Sequence, residues 1–580
     1  MKALKYSEIL ALNRELGTTL TGRDYRVALL SNIVMAQLGD ILECQLRRRG
    51  IKAKVSVGDY DNIVQDSHQF RDFDAVVVFW ELANLVEGLN ANADVWGSEQ
   101  LSALAERVEA EISLVLKNIQ HVPLTLFNSF SSLIFSANDL RAGALTGLSS
   151  RLNQALGKAV SASQIIVDLD KVLAIVGLDQ ATDSRQYLSS KALYSVSFLK
   201  AYADHVEPAF CAATGRGRKI LVLDCDNTLW GGILGEDGES GLQMSDLTSQ
   251  GRVFREAQYL LKGLKEKGVL LALCSKNNPE DVDRVLALHP EMVLRDVDLV
   301  AKKVNWSDKA SNILQLAEEL NLGIDSFVFL DDSEFEVGLV EQELPQVRCF
   351  KVPSVLSDYP QLIRKIGREF FALLATKEDA SKTEMYRQEQ ERKQVTAEFG
   401  TIEEYLKSLG LKLRVDWGRG ISISRAAQLS QKTNQFNLTT RRYTESDIRR
   451  MLGDRRYLVA TFAVADRFGD YGVVGLLILQ HEQDVSVAGI DTLLMSCRVL
   501  GRNIDRAFFD YLFSKLTDFG IGRVESEYIR TGKNQQVADL YDTLGFRRLS
   551  HDEYSIRYEM LVADYRPTCI GYVEVSDGTE

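Results

Sequence analysis

One rhythm constrains this chain more than any other feature. Short apolar runs, RVALLS at 26–31, KAKVSVG at 52–58, FDAVVVFW at 73–80, VPLTLFN at 122–128 and QIIVDLD at 164–170, alternate with longer stretches of helical periodicity. Such alternation predicts parallel strands in a sheet covered by helices. A second series opens at KILVLDCDNT (219–228) and continues through GVLLALCSKN (268–277), EMVLR (291–295) and DSFVFLDDS (325–333), which predicts a second α/β domain. The final third changes character. LKLRVDW, YLVATFAVAD, YGVVGLLILQ and VSVAGIDTLLMS read as consecutive strands joined by short turns, and a long helical pattern returns only after Cys497, so an antiparallel-rich α+β domain is expected there. Residues 365–408, centred on KEDASKTEMYRQEQERKQ, are charged and helical in pattern and read as a connecting helix with a solvated face.

Composition narrows the function classes. With 68 Lys and Arg against 81 Asp and Glu, the formal charge is -13, and no basic cluster offsets it locally, so nucleic-acid binding by phosphate neutralisation is disfavoured. No apolar stretch approaches the roughly 18 residues of a membrane span, and MKALKYSEILALNREL lacks the apolar core of a signal peptide. A soluble cytoplasmic protein without a membrane partner is the expectation. The seven cysteines, Cys44, Cys211, Cys225, Cys274, Cys349, Cys497 and Cys569, are scattered and form no CxxC pair, which fits neither a disulfide scaffold nor a structural zinc site. The six histidines fall in no ligand or triad spacing.

The segment KILVLDCDNTLWGGILGEDG carries the clearest chemistry. An apolar strand delivers Asp224 and Asp226 at its carboxyl end, followed by Thr228, and open α/β sheets keep their active sites at that edge. Two carboxylates one residue apart point to a magnesium site, where a carboxylate oxygen and a main-chain carbonyl bind the hard cation, which shields a carboxylate attacking an electron-rich phosphate. Cys225, between them, reads as a small apolar filler. This pattern resembles the DxDxT signature of the haloacid dehalogenase (HAD) superfamily. The resemblance implies that Asp224 becomes an aspartyl-phosphate and Asp226 is the general acid/base. Further HAD-like motifs follow in order: Ser275 closing GVLLALCS, Lys309 in NWSDKASN, and Asp331–Asp332 ending SFVFL. They imply a hydroxyl and an ammonium holding the phosphoryl group, with Lys302 and Lys303 as rivals to Lys309, and Mg2+ bound by Asp224, Asp226 and one or both of Asp331 and Asp332.

The phrases LDCDNTLWGGILGEDG, CSKNNPEDV, HPEMVLR, VNWSDKASNI and FVFLDDSEFE resemble the FkbH-like subgroup, and the likeness continues through SQKTNQFNLTTRRY, DRFGDYGVVG and LLMSCRVLGRN, over roughly 218–548. The resemblance implies a glyceryl transferase and phosphatase. Such a protein takes the three-carbon unit of 1,3-bisphosphoglycerate, removes phosphate and loads the glyceryl group as a thioester onto an acyl carrier protein for polyketide synthesis. It further implies an SGNH-hydrolase-like or flavodoxin-like parallel sheet at 1–215, a Rossmann-like HAD domain at 216–364, the helical connector at 365–408, a GNAT-like acyltransferase domain at 409–565 and a tail at 566–580. In the amino-terminal domain Ser31 and Asn32 stand where an SGNH nucleophile would, but no DxxH element follows in 164–210, so a packing or docking role is favoured over an esterase.

In the GNAT-like part, Arg498, Gly501 and Arg502 match the cofactor loop pattern [Q/R]xxGx[G/A], while Asn503 replaces its last small residue, which speaks against coenzyme A. The phosphopantetheine arm of a carrier protein could use the same groove, with Asn534 beside it. Cys497 is the candidate thiol for the glyceryl thioester, since it precedes a helix start and two arginines that would favour the thiolate. Cys274, next to Ser275, is its rival. A plain HAD phosphatase of a small phosphorylated metabolite is the alternative activity, and a non-catalytic docking scaffold is a third reading that the intact aspartate pair opposes.

Overall fold

The computed structural model describes residues 4–161, 164–373, 382–388, 402–481 and 486–578. The chain separates into two compact units, residues 1–214 with 443–447, and the remainder from Gly215 to Glu580.

In the first unit five strands, β1 (Tyr25–Ser31), β2 (Ala53–Val57), β3 (Ala75–Phe79), β4 (Leu124–Asn128) and β5 (Gln164–Val167), form a wholly parallel sheet in the order β2-β1-β3-β4-β5. This is the flavodoxin-like order, with its topological switch between β1 and β3. Every side chain of the AVVVF and LTLFN strands is buried, as a strand covered by helices on both faces requires. Helix α1 (Ala36–Arg48) and helix α2 (Ser98–Asn118) follow β1 and β3. At the switch point Ser31 Oγ accepts from the Ile33 N–H at 3.2 Å. The fully buried Asn32 donates to the Glu81 carbonyl at 2.9 Å and accepts from the Glu81 N–H at 2.7 Å. Asn32 thus joins the ends of β1 and β3.

The second unit begins with another parallel sheet. Its strands β6 (Ile220–Leu223), β7 (Leu270–Ser275), β8 (Ala301–Val304), β9 (Phe327–Asp331) and β10 (Arg348–Lys351) take the order β10-β9-β6-β7-β8. Alternation along β6 sends Leu221 and Leu223 into one apolar layer and Ile220 and Val222 into the other. The helices that bear on function are α3 (Ser249–Glu266), α4 (Pro279–Leu288), α5 (Lys309–Glu319) and α6 (Glu334–Glu343). EMVLR, expected as a strand, is not one: the Val293 and Leu294 N–H groups donate to Gln258 Oε1 on α3, at 2.8 and 3.2 Å, so a side chain satisfies them and β8 forms at 301–304 instead.

The connector differs from expectation where it is described. Residues 382–388 are helical, and Thr383 and Tyr386 are buried, with Tyr386 packed into the second apolar layer of the preceding sheet; this turn is therefore not a solvated face. A helix, α7 (Ile402–Ser408), leads into the last domain, while 374–381 and 389–401 lie outside the described residues.

The last domain is a mixed sheet, ordered β17-β18-β16-β15-β14-β13-β11-β19 with β12 attached to β15. Its strands are β11 (Leu411–Trp417), β12 (Phe436–Asn437), β13 (Tyr457–Asp466), β14 (Gly469–His481), β15 (Val487–Met495), β16 (Arg523–Ile529), β17 (Arg547–His551), β18 (Ser555–Leu561) and β19 (Val573–Asp577). Antiparallel pairs dominate, but β15 and β16 run parallel, connected through helix α8 (Ile504–Leu516), which is the strand–loop–helix–strand arrangement the GNAT resemblance implies. The tail expected at 566–580 is part of the fold, since β19 adds in parallel to β11.

Gly475 on β14 shows how tightly this sheet is covered. A Cβ there would lie 1.8 Å from the Phe462 ring, which is itself stacked on Phe508 of α8 at 4.3 Å and cannot withdraw. Gly475→Ala is expected to destabilise the protein by about 1–3 kcal/mol through overpacking, seen as an earlier unfolding transition in chemical denaturation. An unchanged midpoint would show that the ring is free to move.

Candidate active site

At the carboxyl edge of the parallel sheet in the second unit, Asp224 directly follows β6 and Asp331 ends β9, while Lys309 is the first residue of α5. Lys309 Nζ lies 2.9 Å from Asp224 Oδ1 and 2.5 Å from Asp331 Oδ2, with all three side chains at most 7% exposed. Asp332 completes the group: ligand oxygens of Asp224, Asp331 and Asp332 fall within 4.8 Å of one another. Asp331 is fixed by the Ser333 N–H on its Oδ1 at 2.8 Å, and Asp332 is hydrogen-bonded by the Asn227 side chain. Burial pushes the Asp224 and Asp331 carboxyls above their ordinary range against the pull of Lys309. Burial alone would lower Lys309, but its two carboxylate partners outweigh desolvation and hold it raised and charged.

Of the four carboxylates expected at a metal, Asp226 is placed differently. Its Oδ1 accepts from Trp230 Nε1 at 2.9 Å and from the Leu234 N–H at 3.1 Å, and its Oδ2 accepts from Asn277 Nδ2 at 2.9 Å. The carboxylate is held by these donors and is not one of the three whose ligand oxygens group together; the next residue, Asn227, is in the left-handed region, φ 51°. The remaining set is all oxygen, carboxylates on strand ends, and its donors suit a hard divalent cation.

Ser275, 1% exposed, receives a hydrogen bond from Asn277 Nδ2 at 3.1 Å, so Asn277 links the serine to Asp226. The reading of the sequence missed Asn277, although it lies in the quoted phrase CSKNN. Thr228 is fully buried; its carbonyl accepts from Tyr359 at 2.9 Å, and its Oγ1 has no partner among the described residues. The alternative lysines are engaged elsewhere, Lys302 by Asp283 and Asp296 and Lys303 by Glu319. Cys274 and Cys225 are buried; burial raises Cys274 to about 12 and Cys225 well above its ordinary value, which disfavours both as thiolates.

The residues expected to hold a carrier arm are mostly committed inside the last domain. Arg502 is buried, ion-paired with Asp466 at 3.6 Å and stacked over Tyr471. Asn534, fully buried, accepts from the Thr531 N–H at 2.8 Å and donates to the carbonyls of Asn437 and Ile529, both at 2.9 Å. Both therefore have partners inside the domain. Gly501 has φ 77°, as its turn requires, and Asn503, at φ 57°, donates to the Tyr572 hydroxyl at 2.6 Å. Strands β15 and β16 pair only from Val487 to Ile490, beyond which Leu438 spans the split: its N–H donates to the Leu493 carbonyl at 3.2 Å and its carbonyl accepts from Ile529 at 2.8 Å. Cys497 is half-buried just past β15, with its Sγ 4.0 Å from the Tyr386 hydroxyl and its carbonyl 3.4 Å from Asn321 Nδ2. Arg498 bonds Ser496 Oγ at 3.2 Å. Asn321 lies just beyond the far end of α5 from Lys309, so Cys497 and Asp224 are separated by about 16 Å of helix.

No family model and no curated protein matches the chain. Among solved structures, it is similar to the N-terminal part of the protein BF1531 from Bacteroides fragilis, which contains a phosphatase domain and was crystallised with Mg: 25% identity, 64% of this chain, 100% of that one, TM-score 0.56. Matches at TM-score 0.21 and 15% identity include the ribosomal-protein-S18-alanine N-acetyltransferase from Escherichia coli (26% of this chain, 94% of that one) and a mutant spermidine N-acetyltransferase from Vibrio cholerae (27% and 96%). The first unit is a parallel sheet in the flavodoxin-like strand order. Among the described residues no helix is long and apolar enough to cross a membrane.

The buried triad has a stability consequence. Lys309→Met leaves two carboxylates facing each other out of water, so a loss of about 3–5 kcal/mol is expected in urea unfolding at neutral pH. A loss below about 1 kcal/mol would mean that water reaches these groups.

Proposed function

We propose that the chain is a Mg2+-dependent HAD-type phosphohydrolase, and the observation that carries this is the buried cluster of Asp224, Asp331 and Asp332 clasped by Lys309. Its likeness to a magnesium-bound phosphatase-domain protein supports the same reading. Asp224 attacks the phosphorus in line, and the leaving oxygen takes a proton from Asp226, which Trp230, Leu234 and Asn277 hold at a fixed orientation. Asp226 then takes a proton from the water that attacks the aspartyl-phosphate, releasing phosphate and restoring Asp224. Lys309, Ser275 and the unpartnered Thr228 hydroxyl offer cation and donors to the transferring oxygens. Magnesium, held by Asp224 with Asp331 and Asp332, supplies charge neutralisation to the phosphoryl group.

Asp224→Asn keeps the shape and removes the nucleophile; phosphate release is expected to fall at least about a thousandfold with an unchanged circular dichroism spectrum. Wild-type turnover should stop in excess chelator and return with Mg2+. Near wild-type release by folded Asp224→Asn, or full activity in chelator, would sink the reading.

The finer proposal follows the FkbH-like resemblance. The acyl phosphate of 1,3-bisphosphoglycerate is attacked by the Cys497 thiolate, forming a glyceryl thioester and expelling phosphate; the thiol of a carrier protein's phosphopantetheine then takes the glyceryl group by thioester exchange, returning the Cys497 thiol. The remaining phosphate ester is hydrolysed at Asp224. On this reading two chemically different phosphates would be handled at opposite ends of α5, since Cys497 meets Asn321 beyond one end and Asp224 meets Lys309 at the other. Cys497→Ala should eliminate a covalent glyceryl adduct and carrier loading in intact-mass measurements; an adduct that survives there and vanishes in Cys274→Ala would move the acyl site into the HAD domain. Hydrolysis without acyl transfer is the second reading, favoured by the internal use of Arg502 and Asn534 and by Leu438 in the strand split. Absence of carrier loading by an enzyme active on phosphate esters would select it.

A further inference from the structure

Between Ser275 and Asn277, both parts of the candidate active site, lies a lysine that the phosphohydrolase reading leaves unused. Lys276 Nζ is 2.6 Å from Glu336 Oε1, and its side chain is 36% exposed while that of Glu336 is 10% exposed. Glu336 stands in the first turn of α6, four residues after Asp332; its second oxygen is buried without a partner among the described residues. An ordinary surface ion pair joins two solvated, mobile groups. Here one partner is withdrawn from water and fixes the other.

Three segments that each carry active-site residues converge on this ammonium. Lys276 continues β7 beyond Ser275, Glu336 follows the Asp331–Asp332 pair, and Asp308 caps the helix that begins with Lys309. Hydrogen bonds from Ser311 hold the Asp308 carboxyl below the usual range, and Lys276 is close enough to add to that. An ammonium has three donors, of which Glu336 takes one. The partial exposure of the Lys276 side chain leaves the others to solvent.

We propose that Lys276, oriented by Glu336, is a specificity residue that binds a second anionic group of the substrate, a carboxylate or a further phosphate, while Asp224 and Lys309 engage the phosphoryl group that is removed. The substrate class is then a small phosphate ester with an anion at its other end. This rests on the phosphohydrolase reading for the location of the phosphoryl group. Glu336 is a positioning residue: it cancels part of the ammonium's charge and in return holds it in one place, so less ordering is left to occur on binding.

The test compares 3-phosphoglycerate with glycerol 3-phosphate, which share the phosphate ester and differ in a carboxylate against a hydroxymethyl group. Binding is measured by calorimetry with Mg2+ in the Asp224→Asn background, where turnover is absent, and kcat/KM for both esters is measured in the otherwise wild-type enzyme. The preference for 3-phosphoglycerate in affinity is expected to fall at least about tenfold in Lys276→Met and to be regained in large part in Lys276→Arg, the loss expected for one charged contact. An affinity preference that is the same in Lys276→Met as in its parent, or absent from the parent, overturns the proposal. If the affinity preference moves as expected while neither ester is hydrolysed by the wild type, the phosphohydrolase reading fails and the anion site stands.

Discussion

Everything at the carboxyl edge of the second unit's first sheet depends on one electrostatic constraint: three carboxylates are gathered within 4.8 Å, two of them almost wholly out of water. Repulsion at that spacing would expel or protonate them if nothing opposed it. Lys309 answers part of the demand and can do so only because α5 begins beside β6 and β9, delivering an ammonium to both strand ends at once. With the carboxylates ionised, one ammonium against three leaves an excess of two negative charges, the charge that a magnesium ion cancels. The same excess would repel a bare phosphate, so the cluster favours its substrate only when the cation is there.

The sheet explains why the centre of this site was legible. A parallel strand buried on both faces must be continuously apolar and must end where the chain reaches water, so a run such as ILVL followed by acidic residues places those residues at the active edge before any contact is known. Lys309 was legible only through the phrase NWSDKASN, which matches the HAD pattern; that it opens a helix capped by Asp308 is what the structure adds. The direction of Asp226 was not legible. It depends on Trp230, Leu234 and Asn277, of which the last arrives from another strand. EMVLR misled because its short apolar run is what a buried strand would show, while the Val293 and Leu294 N–H groups are satisfied by Gln258 from α3, a partner chosen only in three dimensions.

The internal partners of Arg502 and Asn534 were not legible for a similar reason. Their spacing matches a binding pattern, but spacing carries no information about competing internal partners, and Asp466 with Tyr471, or the carbonyls of Asn437 and Ile529, take these side chains first. A buried guanidinium released from its carboxylate would leave an unpaired charge behind, so a ligand does not recruit it cheaply.

The strand split in the last domain sharpens what this implies for any thiol-bearing arm. Two parallel strands that part leave backbone donors and acceptors facing a gap, and such groups are not left bare inside a protein. Leu438 meets them with its own N–H and carbonyl, and Asn534 locks the neighbouring carbonyls of Asn437 and Ile529. An arm lying in the split would have to break those bonds and offer equivalents, with no net gain in pairing. Access past the end of β15 carries no such cost. Cys497 is there, half-buried beside Tyr386 and Asn321, where a thiol can be approached without unpairing the sheet. If the acyl-transfer proposal holds, the thiol-bearing arm would be received at the strand end, where Asn321 beyond α5 meets the Cys497 carbonyl.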